Sequence, residues 1–232
     1  MESQTLFYII IGIIIVNFVI DKTLGALNAK HFNDALPEEL NDVYNVEEYK
    51  KSQRYKKEQY RFGLLSSSIS IVATLLFFFL DGFALVDGWA RSFSDNAIGI
   101  ALIFFGIIVF ASDILSLPFS YYNTFVIEEK YGFNKTNTAT FFFDKLKGWA
   151  MMAVVGGGLL AGIIWFYQIT GSNFWLYAWG LVTVFTVFMN LFYARLIVPI
   201  FNKQSPLEDG SLRTKIEAYA NTVHFNLANI FV

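Results

Sequence analysis

The chain has 232 residues, no cysteine and a net charge of −2, which excludes disulfides, thiolate metal sites and cysteine nucleophiles and leaves no electrostatic case for binding nucleic acid. Hydrophobic residues make up 55% of it and charged residues 16%, against about a quarter charged in a soluble domain. The apolar excess is gathered in long runs, so these are membrane spans and not a soluble core.

Five spans are predicted: Leu6–Ile20, Phe62–Leu80, Ala97–Leu117, Trp149–Ile169 and Phe174–Val198. Crossing about 30 Å of hydrocarbon takes roughly 20 residues at about 1.5 Å each. Four runs satisfy that length. The first is short and is expected to start near Gln4 and continue past Asp21 toward Leu27. No positive residue precedes it and no small-residue cleavage site follows, so it reads as an uncleaved span and not as a signal peptide.

Positive charge sets the expected topology. Segment 22–61 holds eight Lys or Arg: Lys22, Lys30, Lys50, Lys51, Arg54, Lys56, Lys57 and Arg61. Loops 22–61 and 118–148 are therefore placed in the cytoplasm, with the tail carrying Lys203, Arg213 and Lys215. Loop 81–96, with Arg91 alone, and the N-terminus fall outside. The second half of 22–61 is expected to be helical from Pro37, with Glu38 and Glu39 in its first turn. Tyr44, Tyr49, Tyr55 and Tyr60 then form either an interfacial aromatic belt or part of a solvated helix. In the fourth span, Gly158 and Gly162 make a small-xxx-small pair that admits a close helix neighbour.

After Val198 the composition changes. Ser205-Pro206-Leu207-Glu208 reads as a capping box, Leu212, Ile216, Tyr219 and Val223 share one face of a short helix, and 225–232 reads as the opening of a strand. The chain is thus divided into a five-helix membrane domain, 1–200, and the beginning of a further domain, 201–232, of a longer protein.

Asn17, Ser66, Ser67, Ser68, Ser70, Asp113, Asn190 and Arg195 all fall in the cytoplasmic half of the spans. Two arrangements account for them: a wet cavity open to the cytoplasm, or interfacial snorkelling with small-residue packing. His31 and His224 stand in no metal-binding spacing, and no H-E-x-x-H, Gly-rich phosphate loop or G-x-S-x-G occurs. No catalytic or metal-ligating residue is assigned. Asn134-Lys135-Thr136 matches a glycosylation acceptor, but its expected cytoplasmic position leaves it unused.

The stretch "SYYNTFVIEEKYGFN" (120–134) resembles the signature of the type I CAAX prenyl proteases, Y-x-T-F-V-x-E-E-x-x-G-F-N, through Tyr122, Thr124, Phe125, Val126, Glu128, Glu129, Gly132, Phe133 and Asn134. "LPEEL" and "EYKKSQRY" are similar to that family's P-E-L and F-x-K-S-x-x-Y, with Lys51, Ser52 and Tyr55 matching. "SPLEDGSLRTKIE" (205–217) is similar to its T-P-L-x-x-G-x-L-x-x-x-I-E through Pro206, Leu207, Gly210, Leu212, Ile216 and Glu217.

The resemblance implies an all-α multi-pass membrane protein, five transmembrane helices followed by the start of a cytoplasmic α+β metalloprotease domain. It also implies a zinc metalloendopeptidase acting on prenylated CAAX proteins or other membrane-associated polypeptides. The H-E-x-x-H helix would follow residue 232, so that 1–232 alone is expected to be inactive and to bind no zinc. A bacterial inner membrane or an endoplasmic reticulum membrane is the expected location, with lipid and polypeptide substrate as partners. The bland alternatives are a non-catalytic scaffold and a transporter-like protein, the second predicting paired broken helices that the sequence lacks.

Two experiments check these expectations. Single cysteines at Ser52 and Ser94 should label from opposite sides of the membrane, Ser94 from outside; labelling of Ser52 from outside in intact cells inverts the topology. Asp113 and Arg195 lie about 5–6 Å inside the cytoplasmic ends of spans three and five, and two arrangements are open to them: a pair lining the mouth of the chamber, or Arg195 snorkelling to lipid phosphate with Asp113 facing water separately. Thermal stability of Asp113→Asn, Arg195→Gln and the double variant measures their coupling, and a value within error of zero rules the pair out.

Overall fold

The computed structural model describes residues 3–32, 34–37, 42 and 45–232. Glu38, Glu39, Tyr44 and most of the "LPEEL" motif lie outside the described residues. Four continuous helical stretches among these are long and apolar enough to cross a bilayer: Gln4–Ala29, Val46–Phe79, Ala97–Tyr131 and Thr138–Phe201. The last has 64 residues and would be about 96 Å long if straight, three times the hydrocarbon thickness. It does not run straight. At Gly171, φ is 56° and ψ −126°, a conformation open to glycine, and the chain turns back through 171–173. The expected fourth and fifth spans are the two arms of this hairpin.

The chain divides into two compact units, Met1–Asn137 and Thr138–Val232. The first holds α1 (Ser3–Ala29), α2 (Val46–Phe79), α3 (Gly82–Phe93), α4 (Ala97–Tyr122), a π-helical turn (Asn123–Glu128) and α5 (Glu129–Tyr131). The first span is fully helical and reaches Ala29, as the extension past Asp21 anticipates. It pairs with α2 along its length: Phe7 meets Phe78 and Phe79 at one end, and Tyr60 meets Phe32 and Gly25 at the other.

Helix α2 starts at Val46 and not near Pro37. Asn45 caps it, its Oδ1 accepting from the amides of Glu47 (2.8 Å) and Glu48 (3.4 Å), while Glu47 and Glu48 occupy the positive end of its dipole. Of the expected tyrosines, Tyr60 is turned into α1 and Tyr55 toward α5. The expected loop 118–148 is mostly helical, because no glycine interrupts the chain between Leu117 and Tyr131 and Pro118 is carried inside α4.

The expected loop 81–96 is also a helix, α3. Its Gly82, Val86 and Ala90, spaced by four, are buried against α4. Phe83 links three helices, touching Phe77, Phe78 and Phe104. A Cβ at Gly82 would collide with the Phe77 ring, so this junction admits only glycine without rearrangement.

The second unit holds α6 (Thr138–Met151), a π-helical turn (Met152–Gly156), α7 (Gly157–Thr170), α8 (Phe174–Leu196), α9 (Val198–Phe201) and α10 (Ser211–Thr222). α7 packs on α8, with Phe166 against Tyr177 and Tyr167 against Phe174. The small-residue pair is asymmetric: a Cβ on Gly162 would lie 2.9 Å from Leu181 Cδ2, whereas one on Gly158 meets nothing within 4 Å. The capping-box expectation at 205–208 is overturned. Pro206 pairs with Phe231 in an antiparallel bridge, Ser205 and Val232 exchange backbone hydrogen bonds of 3.0 and 2.9 Å, and α10 starts only at Ser211. Proline suits this position because its missing N–H is not called on. The expected strand opening at 225–232 is reduced, among the described residues, to that single bridge at Phe231. Leu212, Tyr219 and Val223 remain exposed.

Most large apolar side chains on the long helices face outward; Leu80, Leu191 and Val184 are about 70% exposed. That is the surface of a helix bundle whose solvent is hydrocarbon. The hydroxyls of α2 and α4 conform to it: Ser66 donates to the carbonyl of Gly63, Ser67 to Leu64, Thr74 to Ser70 and Ser116 to Ser112, each within its own helix. In detergent, Gly162→Val should lower the thermal midpoint by the equivalent of about 1–3 kcal/mol through overpacking against Leu181, while Gly158→Ala should leave it unchanged.

Candidate functional site

Helix α4 carries Pro118 and then widens into the π-helical turn, and both features precede the 128–134 end of the signature. Proline removes one helical hydrogen bond and bends the helix. The π turn inserts one residue, which rotates every following side chain by roughly 100° about the axis. The rotated residues include Ile127 and Tyr131, 1% and 8% exposed, in a chain with few sealed positions. Asn123 Nδ2 donates to Glu128 Oε1 across the turn at 3.2 Å; its Oδ1 is buried with no hydrogen-bond partner among the described residues.

Gly132 ends the helix with φ at 80°, and the Phe133 amide reaches back to the Glu128 carbonyl (2.9 Å) while the Gly132 amide reaches Glu129 (3.0 Å). This is a Schellman stop, which needs a left-handed residue at that point. Asn134 then locks the exit: its Oδ1 accepts from the Thr136 amide at 2.7 Å and its Nδ2 donates to Glu129 Oε2 at 2.8 Å. The glycosylation triplet is therefore already engaged as a turn.

The helix end is clamped to α2. Glu58 Oε2 accepts from Lys130 Nζ at 2.7 Å and from the Tyr131 hydroxyl at 2.9 Å. Tyr55, one turn earlier, sets its ring against Tyr131 (5.2 Å) and Phe133 (4.9 Å) edge-on, and its hydroxyl accepts from Gln59 at 3.0 Å. One turn later Phe62 stacks on Tyr122 at 4.9 Å. This part of α2 lies before the uncharged run that opens at Phe62, outside the hydrocarbon. Lys130 holds the Glu58 carboxyl below the usual carboxylate range, and Glu58 in return raises Lys130. Burial, with help from Glu58, raises the Tyr131 phenol.

Of the residues singled out by sequence, Tyr55, Tyr122, Glu128, Glu129, Gly132, Phe133 and Asn134 thus come together in one unit. Phe125 stands on the same turn against Tyr121 (4.6 Å), and Thr124 is half-buried there. Lys51 and Ser52 are exposed on α2, one turn ahead of Tyr55. Pro206 and Gly210 belong to the second unit, where Arg213 ties their segment together: it donates to the Leu207 carbonyl and to Glu217, both at 2.9 Å, and Glu217 raises its pKa further. Asp113 lies on α4 and Arg195 in the last turn of α8, one in each unit.

Sequence reading missed Glu58, Ile127, Tyr131 and Arg213. Glu58 follows Tyr55 by three residues on the same helix face, which was readable; its partners 72 and 73 residues away were not. Among the described residues no three His, Cys, Asp or Glu side chains converge as a metal site, and His31 instead contacts Asp34 at 2.7 Å on the surface.

Five apolar helical arms, three in the first unit and two in the second, with α2 of the first unit held to the end of α4 by a signature carried in a π turn, define an all-helical membrane protein of a distinct kind. A family described as CAAX prenyl protease N-terminal, five membrane helices, matches residues 26–203. The chain is 32% identical over 231 residues to a CAAX prenyl protease 1 homolog of Arabidopsis thaliana, covering 96% of this chain and 54% of that protein. It is 34% identical over 214 residues to a probable CAAX prenyl protease 1 of Schizosaccharomyces pombe, covering 84% and 44%. The crystal structure of S. mikatae Ste24p superposes with a TM-score of 0.89 at 28% identity, covering 100% of this chain and 55% of that one. The chain belongs to the CAAX prenyl protease family and corresponds to its N-terminal membrane region. It spans about half the length of the relatives it matches.

The clamp has a measurable signature. Glu58→Gln and Tyr131→Phe, singly and together, should show a coupling of about 1 kcal/mol in thermal stability at pH 7. Because the folded Glu58 pKa is depressed, its contribution is complete above the ordinary carboxylate pKa and lost as pH falls through the lower folded value, so the coupling should shrink below pH about 4. Gly132→Ala should cost about 1 kcal/mol or more on its own, from the left-handed backbone.

Proposed function

We propose that this chain is the N-terminal membrane part of a zinc metalloendopeptidase that cleaves prenylated CAAX proteins or other membrane-associated polypeptides. The observation that carries the reading is the family match through 26–203, together with a fold that follows Ste24p over the whole chain. The described residues offer no ligand set for zinc, so no step through the metal is assigned to them. In a family of this chemistry the metal would polarise the scissile carbonyl and activate water.

What this chain contributes is architecture. Its helices build the membrane wall, and the Glu58 clamp fixes the α4 end against α2 at the side proposed to be cytoplasmic, where the positive charge of 22–61 accumulates. The hydroxyl-bearing face of α2 is proposed as part of the wall of the chamber. A groove of about 480 Å³ between α1 and α2 is lined by Ser66, Ser67, Ser70 and Thr74 with Ile14 and Phe18. The segment after Pro199 is proposed to lead into the catalytic domain.

The test is direct. The full-length protein, reconstituted in liposomes, should release the C-terminal tripeptide from a farnesylated CAAX peptide, and 1,10-phenanthroline should reduce the rate about 100-fold or more, with zinc restoring it. Activity insensitive to the chelator would overturn the metallopeptidase reading. Cleavage of an unprenylated membrane polypeptide with the farnesylated peptide left intact would overturn the prenyl substrate.

A further inference from the structure

Helix α3 has two apolar stripes side by side. One, Gly82–Val86–Ala90, is buried against α4. The other, Leu85–Trp89–Phe93, is displaced by one position and stays open among the described residues: its side chains are 53%, 50% and 78% exposed. On the far side Arg91 Nε and Asp87 Oδ2 form an ion pair of 2.7 Å, which is polar surface suited to water. The helix is therefore amphipathic beyond what packing on α4 requires.

Its depth follows from ring contacts within the same unit. Phe62, the first residue after the last charge of α2, opens the uncharged run of that helix and marks one hydrocarbon boundary. From Phe62 to Phe79 helix α2 rises about 26 Å, close to the hydrocarbon thickness of about 30 Å, and Phe83 touches Phe77 and Phe78 at that end. Phe83, in the first turn of α3, lies on Phe104 with ring centroids 6.4 Å apart. Helix α3 thus begins near the opposite hydrocarbon boundary, at the level of the bilayer surface. A tryptophan between a leucine and a phenylalanine at that level is the composition of an interfacial anchor.

We propose that α3 docks on the bilayer surface, its Leu85–Trp89–Phe93 stripe inserted at the headgroup–acyl boundary of the leaflet opposite the Glu58 clamp. The inference rests on α2 and α4 crossing the membrane and is independent of the proposed protease activity. Insertion holds the α2–α4 connection at a fixed depth, which neither the buried stripe nor the Asp81–Gly82 junction does alone.

The intact protein in phosphatidylcholine liposomes, with single cysteines carrying a nitroxide at Leu85, Trp89, Phe93 and Arg91 in an otherwise cysteine-free background, tests this by power-saturation spectroscopy. The first three positions should collide with oxygen several-fold more than with a water-soluble nickel chelate, and Arg91 should show the reverse. Stripe positions open to the nickel chelate would place them in water, and stripe positions shielded from both reagents would place them under protein; either result overturns the proposal. Because three separate positions read the same stripe, loss of folding in one variant leaves the other two to decide.

Discussion

In a bundle whose outward surface is dissolved in lipid, burial of apolar side chains gives little preference for one helix arrangement over another, since hydrocarbon receives a leucine as well as a neighbouring helix does. Polar contacts that close outside the hydrocarbon therefore carry unusual weight, and in the first unit the charged contact that joins α2 to α5 centres on a single carboxylate. Glu58 accepts from both Lys130 and Tyr131, while Ile127 seals the space beneath. The register of α2 against α4 is set there. From it follow the level of the Phe62–Tyr122 stack, the meeting of Phe83 with Phe104, and the position of α3.

The signature segment makes sense as the means of reaching that contact. An unbroken α-helix from Ala97 would present a different face to α2 at position 131; the extra residue in the π turn corrects the rotation, Gly132 stops the helix, and Asn134 directs the chain away. Each part has a distinct residue requirement, which is why the segment is polar and aromatic between two apolar runs. The family's shared motif is, in this chain, a construction for aiming two side chains at one acceptor.

How much of this was legible depends on the range of each signal. The spans were readable because composition over 20 residues is a local property, and the α1 extension past Asp21 was readable for the same reason. The helix start near Pro37 was misplaced because proline is equally at home outside a helix, as it stands in the non-helical residues 34–37. Helix α3 was read as a loop because its polar residues, Asp87 and Arg91, were counted without their spacing of four. The capping box at Ser205 failed because a local pattern competed with a pairing to Phe231, 25 residues on. Glu58 could be placed on the right face of α2, but no property of the sequence near it names Lys130.

The serine-rich face of α2 has a consequence for how this surface meets its surroundings. Ser66, Ser67 and Thr74 each give their proton to a carbonyl of their own helix, so these three depend on neither a neighbour nor solvent to be satisfied. Such a surface is nearly indifferent to what lies against it: lipid tails meet methylene groups and already-occupied donors, and water finds oxygen lone pairs still open to it. Filling or draining the groove between α1 and α2 then leaves these three hydrogen bonds in place, and the helix keeps its shape through either condition. A wall of this kind tolerates a changing occupant, apolar at one moment and hydrated at the next.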